Sequence, residues 1–398
     1  MDQKPEIRRP ETGRSLISDV WLVIFWFLMR IAFLDRIPWD YRVDTPDLRP
    51  LGGSQSALCH LARALARRGH AVRVVTMTTA PARIEGVDCR PLSEGFGVFA
   101  GLDAAIVLND PDPQVAQGLR QAMGPEALVV LWTQHDVDQP AMAAFADPGA
   151  RRLWDRVVFV SDWQRNAYRR VFGPGPPDIV IGNAIAPAFE TLFGDAEDVL
   201  AAKAPVLAYT STPFRGLEVL LDAFPLIRAR MPALRLLVHS SLSVYQVAAA
   251  DDAHGDLYAR AQAMDGVDYR GSLAQPALAR ALKGVLCFAY PSTFPETFCT
   301  AALEAMAAGC LAVVGDLGAL AETTRGLAEL VAPGEDYAGR FAARLTAALG
   351  ESEALSERLR RQRRLLAASA TWSLRARAWG GFLESALADD GRQATGDR

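Results

Sequence analysis

The sequence predicts an α/β protein built of two Rossmann-like domains that face each other across a cleft. Three observations carry this expectation. Short apolar runs alternate with segments of helical period, which is the pattern of a parallel sheet wrapped by helices. The alternation breaks once, over Asn183 to Pro205, and then restarts. The chain, at 398 residues, is longer than a single hydrophobic core usually supports.

The first half opens with the run Arg30 to Leu34, read as a buried strand. Further strands are expected at Val72 to Met77, Ala105 to Leu108, Leu128 to Trp132, Val157 to Val160 and Ile179 to Ile181. Ser54 to Arg68 reads as a helix, because Ala57, Leu58, Leu61, Ala62 and Leu65 make one apolar stripe. Gly69 ends it, with Arg67 and Arg68 in its last turn. After the linker, strands are expected at Val206 to Thr210, Leu234 to His239, Val285 to Ala289 and Leu311 to Val314. Helices are expected at Leu217 to Arg230, Gln275 to Lys283 and Thr300 to Ala308, with an amphipathic tail helix from Trp372 to Leu387. The domains so drawn are residues 29–185 and 186–370, with 371–390 as a terminal helix. In such sheets ligands bind beyond the carboxyl ends of the strands, which puts the site in the cleft between the domains.

The N-terminus departs from this pattern. Val20 to Leu28 (VWLVIFWFL) follows Lys4, Arg8, Arg9 and Arg14, an order that suggests a signal or anchor. The run is far shorter than the roughly 20 apolar residues of a helical span, and Asp19 and Arg30 bound it. Residues 1–28 are therefore expected to be an upstream extension from a misplaced start, with a peripheral membrane contact as the other reading. A chain beginning at Met29 is expected to stay soluble and at least as active, which expression of that truncation checks.

Composition excludes several classes. The net charge of -4 gives no basic excess for a nucleic-acid backbone, so no nucleic-acid partner is expected. The five cysteines are scattered without metal-ligand spacing, which points to a reducing, cytoplasmic compartment and no structural metal.

Three segments carry candidate chemistry. Gly52 and Gly53 precede a helix whose free N–H groups can attract phosphate, with Ser54 as a candidate cap. Arg215, in Thr210-Ser211-Thr212-Pro213-Phe214-Arg215-Gly216, lies at a strand-to-helix turn where a guanidinium can clamp phosphate oxygens. The segment from Phe294 to Gly309 contains Glu296 and Glu304. Two carboxylates aimed at one cleft suit hydroxyl recognition, while the N–H groups of Thr297, Phe298 and Cys299 can receive negative charge.

Taken together, MRIAFL, LGGSQSALCHLARALARRGHAVRVVT, VVFVSDWQRNAYRRVFG with IGNAIAPAF, YTSTPFRGLEVLLDAF and YPSTFPETFCTAALEAMAAG resemble the retaining family 4 glycosyltransferases. The likeness runs from Met29 to about Leu387 and implies the GT-B fold. It implies that Gly52 and Gly53 lie near the donor diphosphate and the acceptor, that Arg215 holds the diphosphate, and that Glu304 binds the ribose hydroxyls. It assigns Glu296, with the backbone of Thr297, Phe298 and Cys299, to the transferred sugar, and places His135 near that sugar. Ser161 and Asn183 match family positions but read as a cap and a turn.

The implied substrates are a nucleotide-sugar donor and a glycan or lipid-linked acceptor. The implied transfer retains configuration and needs no metal and no separate cofactor. Two departures stand out: Thr210 occupies a position where the family often has an arginine, and Phe298 and Cys299 occupy positions commonly glycine. Rival readings are a nucleotide-sugar epimerase of the same fold and a non-catalytic glycosyltransferase-like subunit. An NAD-dependent enzyme is disfavoured by the missing GxGxxG turn.

Overall fold

The structure, a computed structural model, describes residues 28–194, 197–350 and 352–389. The expectation for the N-terminal segment falls on residues 1–27, outside the described residues.

The first sheet comprises β1 (Arg30–Leu34), β2 (Ala71–Thr76), β3 (Ala82–Ile84), β4 (Val87–Pro91), β5 (Ala104–Leu108), β6 (Leu128–Trp132), β7 (Arg156–Phe159) and β8 (Asp178–Val180). Its order is β3-β4-β2-β1-β5-β6-β7-β8, parallel throughout except for the β3/β4 hairpin. The second sheet comprises β9 (Ala204–Tyr209), β10 (Arg235–Val238), β11 (Val267–Tyr269), β12 (Val285–Tyr290), β13 (Leu311–Gly315) and β14 (Glu329–Val331). Its order is β11-β10-β9-β12-β13-β14, with every pairing parallel. Each sheet thus reverses its strand order near its first strand, where doubly wound folds open a ligand crevice.

Burial explains why the central strands are apolar along their whole length. Every residue of β5, β6 and β13 is buried, as expected of a parallel sheet covered on both faces. Gly69, at φ 96°, closes the helix Gly53–Arg67 in the left-handed conformation that glycine takes without strain. The hairpin β3/β4 and the short edge strands β11 and β14 were not among the sequence-expected strands. The expected linker contains a short helix, Pro187–Glu190.

The terminal helix Trp372–Asp389 packs into the core of the first domain, not the second. Trp372, Ala376, Trp379 and Leu383 join Ile31, Phe33 and Trp132 in one buried cluster. The Trp379 ring meets Trp132 edge-on at 5.2 Å. Among the described residues no helix is long and apolar enough to cross a membrane. Replacing Trp379 by Ala removes a side chain that is 1% exposed. The expected cost is about 3–5 kcal/mol of stability, read from urea denaturation.

Candidate functional site

A cavity of about 660 Å³ lies between the two sheets' carboxyl ends, and all nine residues singled out from the sequence line it. The first domain contributes Gly52, Gly53 and His135, and the second contributes Arg215, Glu296, Thr297, Phe298, Cys299 and Glu304.

The turn at Gly52 differs from expectation in its cap. Gly52 itself occupies the cap position of the helix Gly53–Arg67, and no side chain caps it, so Ser54 does not act as one. A Cβ on Gly52 would lie 2.8 Å from Gln55 Oε1 and 3.0 Å from the Trp39 ring, whereas Gly53 borders open space. Ser161 does cap its helix, accepting from Gln164 N at 3.0 Å. Asn183 does more than turn the chain, since its amide donates to Gln134 Oε1 at 2.8 Å.

Glu296 is 5% exposed and is held from two sides. Arg215 Nη1 lies 2.7 Å from each carboxylate oxygen, and the Tyr290 hydroxyl donates to Oε1. The Arg215 guanidinium also sits over the Phe294 ring at 4.2 Å. Burial opposes the guanidinium's charge, but the Glu296 carboxylate outweighs it and leaves Arg215 more basic than an ordinary arginine. The groups that the resemblance assigns to sugar and diphosphate are thus bonded to one another. Their loop is tightly fixed: a Cβ on Gly318 would fall 2.4 Å from Glu296 O, and one on Gly216 2.1 Å from Pro291 O.

Glu304 faces a different set of partners. Its Oε1 accepts from Ala186 N at 3.1 Å and from Gln275 Nε2 at 3.0 Å, and Gln275 Oε1 lies 2.7 Å from His60 Nε2. The helix Thr300–Ala307 is buried from Ala302 to Ala307, so Glu304 borders the cavity with little of its surface exposed. Burial pushes the Glu304 carboxyl up to about 8, against the two hydrogen bonds that favour its charge. Burial likewise holds the His60 imidazole down at about 4.

His135 is fixed through its backbone, its carbonyl accepting from Gln164 Nε2 at 2.8 Å and from the Tyr168 hydroxyl at 3.0 Å. Its Nδ1 is buried without a partner, and burial with the nearby Arg215 holds the ring down at about 4. Thr297 Oγ1 donates across the domain boundary to Gln134 O at 2.7 Å. Phe298 packs against both domain cores. Cys299 takes φ 67°, a left-handed conformation costly for a side-chain-bearing residue, immediately before the helix.

Sequence reasoning did not select His60, Thr212, His239, Gln275 or Tyr290. His239 directly follows β10, the same strand-end signal that singled out Arg215, so it was legible in principle. His60 and Gln275 were not, because each owes its place to the other domain.

Residues 204–351 match the family model of glycosyl transferases group 1. Sucrose-phosphate synthase from Thermosynechococcus elongatus is similar in structure, at 19% identity and a TM-score of 0.67, over 91% of this chain and 100% of that one. HepE from Anabaena, solved with UDP and glucose, is similar at 17% identity and a TM-score of 0.67, over 90% of this chain and 100% of that one. Trehalose 6-phosphate synthase from Burkholderia multivorans is similar at 14% identity and a TM-score of 0.65, over 91% and 100%. A comparison with curated protein sequences finds no match.

Glu304 generates a prediction about stability. Its carboxyl keeps a proton in the folded chain up to about 8, whereas the ordinary value is 4.5. The unfolded chain releases that proton at lower pH, so stability falls as pH rises from 4.5 and levels off above about 8. Glu304→Gln keeps the neutral shape without titrating. Thermal melts between about pH 5 and pH 8 are expected to show wild type losing ground to the variant as pH rises. A constant difference would refute the buried, neutral carboxyl.

The two facing sheets with the cleft between them give the chain the GT-B fold, and the match of residues 204–351 to the glycosyl transferases group 1 model marks it as a glycosyl-transferring enzyme (EC 2.4).

Proposed function

We propose that the chain transfers a sugar from a nucleoside-diphosphate sugar to a glycan or lipid-linked acceptor, retaining configuration and using no metal and no separate cofactor. The observation that carries this reading is the meeting of Arg215, Glu296, Glu304, His135 and the Gly52-Gly53 turn around one interdomain cavity. The structurally similar HepE was solved with UDP and glucose, which supports a nucleotide-sugar donor here.

The chemistry follows from charge. Departure of the diphosphate leaves an oxocarbenium-like sugar and concentrates negative charge on the leaving group, so the site must stabilise that charge. Arg215 supplies a fixed cation once the incoming phosphate competes with Glu296 for it. The Glu296 carboxylate, relieved of that partner, then faces the sugar as positive charge develops there. Glu304 accepts ribose hydroxyls, whose donation favours its ionised form. Neutral His135 offers an acceptor nitrogen to the sugar. Acceptor attack on the face that the diphosphate leaves retains configuration and needs no strong protein nucleophile. A peripheral contact with the inner face of a membrane fits a lipid-linked acceptor.

NMR of donor turnover in excess chelator tests this reading. Continued turnover and a product anomer matching the donor are expected; dependence on added magnesium, or inversion, would overturn it. The same assay separates the two acids. Ribose does not change during reaction, so Glu304→Gln is expected mainly to raise the donor KM, by about 1–3 kcal/mol of binding. Glu296→Gln is expected mainly to lower kcat. Equal effects on both constants in both variants would sink this division of roles.

A further inference from the structure

The cavity wall is short of positive charge for a diphosphate. Among its described residues Arg215 is the one arginine or lysine, and it is already matched by Glu296. Each phosphate of a nucleotide sugar brings a negative charge into a partly desolvated site, where an unmatched charge is costly. The groups in the wall that can become cationic are His60, His135 and His239.

We propose, resting on the nucleotide-sugar reading above, that His239 is a second phosphate-binding group, which takes a proton from solvent as the diphosphate binds and holds it together with the Thr210 and Thr212 hydroxyls. Three observations place it. Tyr209 of β9 is in register with Val238 of β10, and His239 N donates to Tyr209 O at 2.8 Å. Thr210 and His239 therefore leave adjacent parallel strands side by side, roughly 4.8 Å apart. The Tyr209 hydroxyl then donates to Thr212 O at 2.7 Å and folds the next residues back over this strand end.

The chemistry of the three side chains agrees. His239 is 6% exposed, Thr210 8% and Thr212 6%, yet His239 Nε2, Thr210 Oγ1 and Thr212 Oγ1 are all buried without a hydrogen-bond partner in a wall of the cavity. Buried polar atoms are normally paired, so three adjacent orphans point to a polar ligand. His239 Nδ1 lies 3.0 Å from Gly271 O, and a carbonyl can only accept, so the hydrogen sits on Nδ1. Nε2 is the nitrogen free to gain a proton and present it to phosphate. The other two histidines are committed elsewhere: His60 is bonded toward Glu304 through Gln275, and His135 lies on the sugar side in the reading above.

The charged groups around His239 are Arg270 and Asp268, which pair with one another, and across the cavity Arg215, Glu296, Glu304, His60 and His135. Burial first, and then Arg270, hold the ring below 6.5 against the Gly271 O hydrogen bond and Asp268, which favour its charge. A bound diphosphate reverses that balance, so binding draws in a proton and weakens as pH rises. Glu304 titrates in the same range with the opposite sign on nucleotide binding, so the informative quantity is the ratio of wild-type to variant affinity.

The test is calorimetry of UDP, ADP and GDP binding from about pH 7 to pH 8.5, where the ligand's own last ionisation near pH 6 is complete. His239→Asn keeps a donor for Gly271 O but lacks Nε2. The wild-type affinity relative to His239→Asn is expected to fall with pH, by up to about tenfold per unit. In buffers of different ionisation enthalpy, wild type is expected to take up more protons than the variant. A second variant, Thr210→Arg with His239→Asn, restores a permanent cation one strand away and is expected to recover affinity without the pH dependence. A ratio independent of pH, or equal proton uptake, would overturn the role of His239. Failure of every nucleoside diphosphate to bind folded wild type would instead remove the nucleotide-sugar reading on which it rests.

Discussion

A carboxylate buried between two domains must be matched, and the matching of Glu296 organises the site. Arg215 bonds both of its oxygens and Tyr290 one of them. An uncompensated charge at this depth would cost several kcal/mol, so the three side chains behave as one unit. The backbone around them is drawn in accordingly. Ala319 N donates to Glu296 O at 2.6 Å, and Glu296 pairs with Gly318 as an isolated parallel bridge. Glycine at 216 and 318 is the condition for that closeness, since any Cβ would overlap a carbonyl. Arg215 thus comes from the β9 side and Glu296 from the β12 side, and the ion pair joins two loops that their strands already set next to each other.

The cavity exists because the domains are also tied to one another by polar contacts at several points. Glu322 of the second domain accepts from Asp162 N and Trp163 N, two of the free groups at a helix start in the first. Trp39 stacks on Tyr245 at 5.4 Å beside a side-chain amide from Gln246 that bonds the Asp40 backbone in both directions. Thr297 bonds Gln134 next to His135, and His60 bonds Gln275, which in turn bonds Glu304. Contacts of this size are individually worth about 1 kcal/mol, the range in which domains can rearrange around a ligand.

How much of this the sequence disclosed depended on where the signal lay. The buried central strands announced themselves as apolar runs, and Arg30 to Leu34, Leu128 to Trp132 and Leu217 to Arg230 have the bounds read from the sequence. The edge strands Val267–Tyr269 and Glu329–Val331 did not, because three residues carry no period of their own and take their conformation from a neighbour. That Arg215, Glu296 and Glu304 face one cavity was legible, the first two from their loops and Glu304 from its helix. What could not be read was partnership: that Glu296 is bonded to Arg215, that Glu304 is enclosed by Ala186 and Gln275, and that His60 reaches across the boundary. Those facts depend on loops and domains meeting in space, which no periodicity encodes.

The helix Trp372–Asp389 gives the chain an order of assembly that differs from its order of synthesis. The core of the first domain needs Trp379 against Trp132 and Trp372 beside His60, yet those tryptophans emerge from the ribosome after the whole second domain. The second domain's core draws on residues from Ile185 to Ala370 and can close without them. A nascent chain therefore carries an unfinished apolar groove on its first domain until the helix has followed the second domain out. The domain made first is completed only after the second, by a helix that lies beyond it in the sequence.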